Sequence, residues 1–342
     1  MSDTRMAAEA AEAPAVIDRL LHDQRRVLEG IGADLRRAPP RALLTVARGS
    51  SDHAATYLKH VVEARGGVLV ASFSPSTASV YGSAPAATGM LAVALSQSGA
   101  SPDLLASMAA ASAAGARTLA LVNVADSPLA RQVEAVVPLG AGPERSVAAT
   151  KSFLAMLAAG AALVAHWTED HELLSALDGM PGALAEAWAA DWSPLVAGLT
   201  EARGLYVIGR GPGFGAAQEM ALKLKETCQL QAEAFSAAEV RHGPMALVGP
   251  ELPLVVLRQE DEAAAGTDEL VRDALEKGAR VFVASADARP NGAVHLPVPA
   301  THPMLAPLAA VQAFYRAANA LSLARGLDPD RPPHLRKVTE TV

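Results

Sequence analysis

The most informative hydrophobic pattern is a short apolar run that ends in a polar turn and is followed by apolar residues at helical spacing. The apolar run is Leu91 to Leu95, the turn covers residues 96–101, and the spaced residues include Leu104 and Met108. This order predicts a strand, a tight turn and a helix. The same order recurs in residues 41–62. The chain therefore contains at least two strand-to-helix junctions with small polar side chains.

Further alternation of strands and helices predicts the fold class. Apolar runs typical of buried strands are 41–47, 68–71, 91–95, 118–122 and 135–139. A helix is predicted from about Ala15 to Ala38, and a long apolar helix from about Ser152. Strands separated by helices imply an α/β fold, a doubly wound, mainly parallel sheet flanked by helices. Ligands of such sheets lie beyond the carboxyl ends of the strands, so we expect the two polar turns to meet at one ligand.

The chain repeats itself at an offset of 162 residues. Residues 205–211 resemble 44–49, and Val255 to Gln259 resembles Val93 to Gln97. Two tandem copies of one α/β unit are the simplest interpretation. We expect an N-terminal helical segment at 1–40, a first α/β domain at 41–168, a helical connector at 169–200, a second α/β domain at 201–325 and a tail at 326–342.

Composition narrows the class of protein. The 342 residues are 51% hydrophobic, which is enough for two buried cores, and the net charge of −7 comes with scattered basic residues. Neither nucleic acid nor an anionic membrane is an expected partner. Glu9 and Glu12 interrupt the apolar segment near the start, which argues against a signal peptide. The single cysteine, Cys228, fits a reducing compartment, so we expect a cytoplasmic protein.

The turn after the 91–95 strand is a candidate anion site. Backbone N–H groups at a helix start lack partners and carry the positive end of the helix dipole. Ser96, Ser98 and Ser101 add hydroxyls, and Gln97 adds an amide. A phosphate monoester of a small molecule fits this donor set. The alternative is that Ser101 only caps the helix and the other serines only form the turn.

The second copy lacks this donor set. Its corresponding turn reads Arg258-Gln259-Glu260-Asp261, and two carboxylates there would repel a phosphate. We therefore expect one phosphate site per chain, in the first half.

The second copy contains a different constellation. Glu219, Lys223 and Glu226 are spaced i, i+4 and i+7 on one face of a helix predicted at about 214–230, and His242 precedes a Gly-Pro turn. A carboxylate, an ammonium and an imidazole supply groups that accept and carry protons near pH 7. The alternative is a salt-bridge triplet on a solvated helix face and a capping histidine.

A dinucleotide-binding interpretation of Gly209 to Gly215 is not favoured. The glycine spacing differs from the dinucleotide fingerprint, Pro212 removes a backbone donor, and no following strand ends in an acidic residue. We expect no organic cofactor and no metal.

Five motifs in order resemble the double SIS (sugar isomerase) family over residues 43–342. More closely, the chain resembles the isomerase half of glutamine:fructose-6-phosphate aminotransferase and the stand-alone second-type glucosamine-6-phosphate deaminases. The motifs are Ala47 to Ser51, Leu95 to Gly99, Val147 to Lys151, Ala221 to Glu226, and Ala232 to Pro244.

The resemblance implies roles for particular residues. Contacts to a phosphorylated sugar fall on Gly49, Ser50, Ser51, Ser96, Gln97, Ser98, Ser101, Val147 and Ala149. Glu226 matches the carboxylate that moves a proton between C1 and C2 of the open-chain sugar, with Lys223 beside it. His242 matches a ring-opening histidine that reaches the neighbouring subunit, which implies a homodimer with a shared active site. Lys337 matches a lysine that forms an imine with the ketose carbonyl.

Departures from the aminotransferases favour a deaminase. Ser2 stands where they carry a nucleophilic cysteine, and Ala149 stands where they carry a sugar-contacting serine. The ending from Lys337 to Val342 resembles the deaminase-like relatives. Together these features favour conversion of glucosamine 6-phosphate and water into fructose 6-phosphate and ammonia.

Three alternatives stay open. The first is amination with free ammonia or a plain aldose–ketose isomerisation. The second is action on galactosamine 6-phosphate or a fructosamine-type adduct, and the third is a non-catalytic sugar-phosphate sensor. The sugar epimer, the number of subunits and any allosteric effector are not determined by the sequence.

Overall fold

The computed structural model describes residues 4–287, 291–335 and 337. Ser2 and residues 338–342, on which part of the deaminase expectation rests, lie outside the described residues. The described residues divide into two compact units. The first-sheet unit comprises residues 15–144 and 151–178, and the second-sheet unit comprises 4–14, 145–150, 179–287, 291–335 and 337.

The first-sheet unit contains five parallel strands in the order β2-β1-β3-β4-β5. The strands are β1 Leu43–Val46, β2 Val70–Ser72, β3 Leu91–Ser96, β4 Arg117–Val122 and β5 Ala135–Pro138. Its helices are α2 Ala13–Asp23, which begins two residues before the unit, α3 Arg25–Arg37, α4 Ser50–Val61, α5 Pro75–Ser79, α6 Pro102–Ala113, α7 Pro128–Gln132, α8 Lys151–Thr168 and α9 His171–Asp178. A π-helical turn, Val62–Gly66, extends α4.

The second-sheet unit contains five parallel strands in the order β10-β9-β8-β6-β7. The strands are β6 Gly204–Gly209, β7 Gln231–Ser236, β8 Leu254–Leu257, β9 Val281–Ser285 and β10 Val294–Pro297. Its α-helices are α1 Arg5–Ala11, α10 Met180–Ala189, α11 Ser193–Leu199, α12 Pro212–Cys228, α13 Ala264–Glu276 and α14 Ala306–Ala324. Two 3-10 turns, Glu239–His242 and Pro244–Leu247, follow β7.

The two sheets have the same topology, which confirms the predicted α/β fold with two copies of one unit. Read from β7, the second order repeats the first strand for strand. Helix α4 begins at Ser50 and α12 at Pro212, 162 positions later, and α6 and α13 begin at Pro102 and Ala264, again 162 apart. The repeat seen in the sequence therefore corresponds to equivalent elements.

Each sheet is the centre of its own hydrophobic core. In the first, Val46, Ala94 and Val122 from the strands pack with Leu104 and Met108 of α6. In the second, the corresponding strands pack with Leu270, Val271 and Ala274 of α13. The helical spacing noted at Leu104 and Met108 thus marks the face of α6 that the sheet buries.

The prediction of a single helix from about Ala15 to Ala38 is wrong in detail, because two helices cover this range. Helix α2 ends at Asp23, and Gln24, with φ −96° and ψ 1°, separates it from α3. Strand β7 was not expected, because its exposed and partly exposed positions lack the apolar run typical of a central strand. It lies at the edge of the second sheet.

Among the described residues, no helix combines the length and the apolar character needed to cross a membrane.

Candidate active site

The two predicted polar turns lie side by side at the carboxyl edge of the first sheet. Strands β1 and β3 are neighbours, with Val46 paired to Ala94. The chain leaves β1 toward β2 on one side and leaves β3 toward β4 on the other. The crevice at such a reversal of strand order is the usual ligand site of doubly wound sheets. The turn after β1 and the turn after β3 both flank this crevice.

The turn after β3 is held in one conformation by its own hydrogen bonds. Ser96 Oγ accepts a hydrogen bond from the Gly99 N–H at 2.9 Å, and the Gly99 carbonyl accepts one from the Leu129 N–H at 3.0 Å. Gly99 has φ +62°, and a Cβ on it would lie 2.3 Å from Ser127 Oγ. Only glycine fits this position, because a side chain would meet both the backbone strain and the serine.

Ser101 occupies the N-cap position of α6 without using its side chain as a cap. Its backbone is extended, Pro102 follows as the first helical residue, and the Ser101 hydroxyl makes no capping hydrogen bond. The capping role that served as the alternative explanation of Ser101 is therefore absent. The hydroxyl is available to a ligand at the helix start. Gln97 and Ser98, in the same turn, are partly exposed.

The turn after β1 presents Ser50 and Ser51 as the first residues of α4. Gly49 precedes them with φ +54°, and its carbonyl accepts hydrogen bonds from the N–H groups of Asp52 and His53 in the first turn of the helix. Burial raises the pKa of the Asp52 carboxyl, while the nearby His53 and Arg48 act in the opposite direction. The site thus combines hydroxyl groups and a helix start with an acidic group that the sequence analysis did not consider.

An ion pair that the sequence analysis missed connects the two turns. Arg48 Nε and Nη2 both lie 2.9 Å from Oδ2 of Asp103, a fully buried carboxylate in the first turn of α6. Asp103 Oδ1 also accepts the Leu104 N–H at 2.8 Å. The pair fixes the turn after β1 against the start of α6. Residues 55 positions apart give no local sequence signal for such a contact.

The loop that contains Val147 and Ala149 belongs to the second-sheet unit. Both residues are partly exposed and alternate with buried neighbours. The Glu9 carboxylate of α1 accepts hydrogen bonds from the N–H groups of Arg145 at 2.6 Å and Ser146 at 3.1 Å. A buried acidic side chain, distant in the sequence, therefore holds this loop. Nothing local in the sequence indicates this role of Glu9.

Glu219, Lys223 and Glu226 form one ion cluster, as their spacing on α12 predicts. Lys223 Nζ lies 2.5 Å from Glu226 Oε2 and 3.3 Å from Glu219 Oε1. The side chains of Glu219 and Lys223 are 0% and 1% exposed, and that of Glu226 is 19% exposed. The alternative of a solvated surface triplet is therefore wrong. The neighbouring Lys225 is exposed.

The cluster keeps Lys223 charged. Burial by itself would lower the pKa of the Lys223 ammonium, but the adjacent carboxylates of Glu219 and Glu226 outweigh it, and the net shift is upward. Lys223 is thus a fixed cation at neutral pH. Glu226 is the most exposed member of the three, so it is the carboxylate best placed to meet a ligand.

His242 and Lys337 also lie in the second-sheet unit. His242 ends the first 3-10 turn and is exposed, and Gly243 and Pro244 reverse the chain after it. Among the described residues His242 makes no hydrogen bond to Glu226, so its predicted role in a neighbouring subunit stays a prediction. Lys337 is partly buried.

In the second copy, the turn after β8 carries Arg258, Glu260 and Asp261 at the positions of Ser96, Ser98 and Gly99. A Cβ on Gly213, in the first turn of α12, would lie 2.2 Å from Gln259 Oε1. The Gln259 amide donates to Asp261 Oδ2 at 3.2 Å. Arg258, which follows β8, pairs with Glu260 and Asp268. This turn therefore carries carboxylates at the positions of Ser98 and Gly99 of the first copy, and a single phosphate site in the first half stays a prediction.

The sequence was compared with protein families and with known proteins. The SIS domain family matches residues 38–166 and 198–316. The glutamine–fructose-6-phosphate aminotransferase of Zymomonas mobilis is 30% identical over 97% of this chain, and the chain spans 58% of that enzyme's length.

Two solved structures have the same fold. A candidate phosphosugar isomerase from Silicibacter pomeroyi is 40% identical, with a TM-score of 0.91 over 96% of this chain and 100% of its own. The glucosamine-6-phosphate deaminase of Thermotoga maritima has a TM-score of 0.80 over 99% of this chain and 100% of its own, but only 19% identity, which shows the fold alone. The chain therefore belongs to the SIS domain family, with two SIS segments homologous to the isomerase half of the glutamine–fructose-6-phosphate aminotransferases.

Proposed function

We propose that this chain is a glucosamine-6-phosphate deaminase of the SIS type. The observation that carries the proposal is the buried Glu219–Lys223–Glu226 cluster, which presents one partly exposed carboxylate beside a fixed cation. A sensor that only binds a sugar phosphate has no need of such a group. The reaction class is proton transfer next to a carbonyl, followed by hydrolysis of an imine.

The phosphate is assigned to the serine turns of the first sheet. Hydroxyls of Ser50, Ser51, Ser98 and Ser101 and the N-terminal N–H groups of α4 and α6 supply neutral donors to an anion. Arg48 adds little net charge because its guanidinium is paired with Asp103. A phosphate monoester is held here mainly by hydrogen bonds and helix dipoles.

The proton transfer is assigned to Glu226. In the open-chain sugar, C1 is an aldehyde and C2 bears the amino group. Glu226 takes the proton from C2 and returns it to C1, which converts the amino aldehyde into the C2 imine of fructose 6-phosphate. The Lys223 ammonium, 2.5 Å from the Glu226 carboxylate, fixes the position of that carboxylate.

Hydrolysis of the imine completes the reaction. Water adds to C2, and the resulting carbinolamine expels ammonia to leave the C2 ketone, so glucosamine 6-phosphate and water yield fructose 6-phosphate and ammonia. His242, an exposed imidazole, is assigned to ring opening, and Lys337 to a transient imine with the ketose.

A second candidate is the isomerisation of another phosphosugar. It is favoured by the 40% identity to the Silicibacter pomeroyi protein, whose whole chain is covered. The same carboxylate would then move the proton between C1 and C2 of a sugar with a C2 hydroxyl, and no ammonia would form.

The deciding measurement is the ammonia released by the purified chain from glucosamine 6-phosphate, with galactosamine 6-phosphate and a sugar-free blank alongside. Equal amounts of ammonia and fructose 6-phosphate are the expected result. Isomerisation of a phosphosugar without ammonia would establish the second candidate instead. Tight binding of a sugar phosphate without any turnover would instead support a non-catalytic sugar-phosphate sensor.

Matched variants test the assignment of Glu226. Glu226→Gln keeps the shape of the side chain but removes the base, and we expect a loss of about 10²-fold or more in kcat. Lys225→Gln, a charge change on the same helix at an exposed position, serves as the control and should leave kcat unchanged. Full activity of Glu226→Gln would refute the catalytic assignment.

A further inference from the structure

A buried tyrosine on the last helix contacts the ion cluster. Tyr315 of α14 is 0% exposed, and its hydroxyl donates a hydrogen bond to Glu219 Oε1 at 3.2 Å. This is the same carboxylate oxygen that lies 3.3 Å from Lys223 Nζ. Because Glu219 is fully buried, it depends on protein donors rather than water to stabilise its charge.

The two carboxylates compete for one ammonium. Lys223 lies closer to Glu226, at 2.5 Å, than to Glu219, at 3.3 Å, although Glu219 is the more deeply buried of the two. Burial strengthens electrostatic attraction, so Glu219 without another donor would draw the ammonium toward itself. The Tyr315 hydroxyl supplies a donor to Glu219 and reduces that pull.

Helix α14 holds the tyrosine hydroxyl in a fixed place. Ser322 Oγ donates to the Thr227 carbonyl at 2.7 Å, and Arg325 Nε donates to the Cys228 carbonyl at 2.9 Å. Both contacts join α14 to the C-terminal end of α12, the helix that bears the cluster. Rigid support of this kind is what keeps reacting groups in a productive geometry.

We propose that Tyr315 is a positioning residue for proton transfer: by donating to Glu219, it leaves the Lys223 ammonium directed at Glu226. The inference rests on the proposed function, because it requires Glu226 to be the base. Tyr315 is assigned no contact with the sugar. It acts through Glu219 and Lys223 on the placement of the ammonium beside the base.

The test is Tyr315→Phe, which removes the hydroxyl and keeps the ring. We expect kcat for glucosamine 6-phosphate to fall about tenfold, the effect of one hydrogen bond to a charged group, while KM changes less than about twofold. Deuterium uptake from D2O into the sugar carbons, followed by NMR, should slow by the same factor. Tyr57→Phe, at a fully buried tyrosine of the first-sheet unit, is the matched control and should leave kcat unchanged.

A double-mutant cycle separates positioning from a merely structural bond. In a Glu219→Gln background the competing charge is absent, so Tyr315→Phe should change kcat less than in the wild type. A loss of stability with unchanged kcat and exchange, or an equal loss of kcat in both backgrounds, would overturn the inference. If Glu226→Gln is inactive and Tyr315→Phe is fully active, only this inference fails. Full activity of Glu226→Gln, or a wild-type chain inert toward these sugars, overturns the proposed function as well.

Discussion

At Lys223, one buried ammonium neutralises part of the charge of two carboxylates. Lys223→Met removes the cation from both carboxylates. Glu219, which is fully buried, and Glu226 then lose their ion-pair partner. We expect the free energy of unfolding to fall by about 3–5 kcal/mol, as when one partner of a buried ion pair is removed. Urea denaturation measures it, with the exposed Lys225→Met as control. Equal stability of the two variants would mean that the cluster is not buried as described.

The same ammonium gives stability a defined pH dependence. The folded chain raises the pKa of Lys223 above its ordinary value of 10.5, so the folded state binds this proton more tightly than the unfolded state. The contribution is therefore complete below about pH 10.5 and is lost as the pH rises through the raised pKa. The difference in unfolding free energy between wild type and Lys223→Met should be constant from pH 7 to pH 9 and shrink above pH 10.5. A difference that shrinks toward acid within this range would contradict the sign.

At Gly99, backbone conformation and packing both require glycine. Gly99→Ala places a Cβ at 2.3 Å from Ser127 Oγ, in a backbone with φ +62°. Gly67 has φ +64° with nothing within 4 Å of the corresponding Cβ, so Gly67→Ala isolates the backbone cost of about 1–2 kcal/mol. Gly99→Ala should cost a further 1–3 kcal/mol, roughly the range of overpacking, in urea denaturation. Equal losses would show that the turn yields to the added methyl group.

At the scale of the elements, two serines at helix starts differ in what their hydroxyls do. Ser127 caps α7 by accepting the Ala130 N–H at 3.3 Å, whereas Ser101 at the start of α6 makes no capping bond. Ser127→Ala should therefore lower the unfolding free energy by about 1 kcal/mol. Ser101→Ala should leave it unchanged and weaken binding of glucosamine 6-phosphate, measured by titration calorimetry. A destabilised Ser101→Ala with normal affinity would restore the simple capping role.

The strand-turn-helix junctions of the two halves have the same backbone but different contents. Gly49 and Gly211 have nearly identical dihedral angles, φ +54° and ψ −132° against φ +53° and ψ −130°. Two serines follow the first glycine, whereas Pro212 and Gly213 follow the second. Pro212 lacks an N–H, and Gln259 packs on Gly213. The second junction thus keeps the backbone of the first but lacks its two serine hydroxyls.

At the scale of the whole molecule, this difference predicts one phosphosugar per chain. Titration calorimetry with glucosamine 6-phosphate should give a stoichiometry of one. Ser51→Asp places a carboxylate at the start of α4 and should abolish binding through repulsion of the phosphate. Two equivalents per chain, or one equivalent that survives Ser51→Asp, would show that the second half binds the ligand.

Much of this architecture follows from local patterns. The strands of the first sheet, the turn serines and the spacing of Glu219, Lys223 and Glu226 are all visible in the sequence, because periodicity and helical geometry act over a few residues. Strand β7 and the break at Gln24 were not predicted, since β7 contains no apolar run and a one-residue break leaves the helical pattern intact.

By itself, the sequence determined the α/β class, the duplication and the residue types that meet at each turn, because these depend on chain-local chemistry. Only the tertiary structure decided burial and long-range partners. It placed Arg48 on Asp103, Glu9 on the loop after β5, and Tyr315 on Glu219. These contacts join residues 55 to 136 positions apart, where no local pattern reaches. They depend on the order of the strands in each sheet and on the packing of the helices. The sequence alone allowed the Glu219–Lys223–Glu226 face of α12 to be either solvated or buried, and helix packing buries it as an ion cluster.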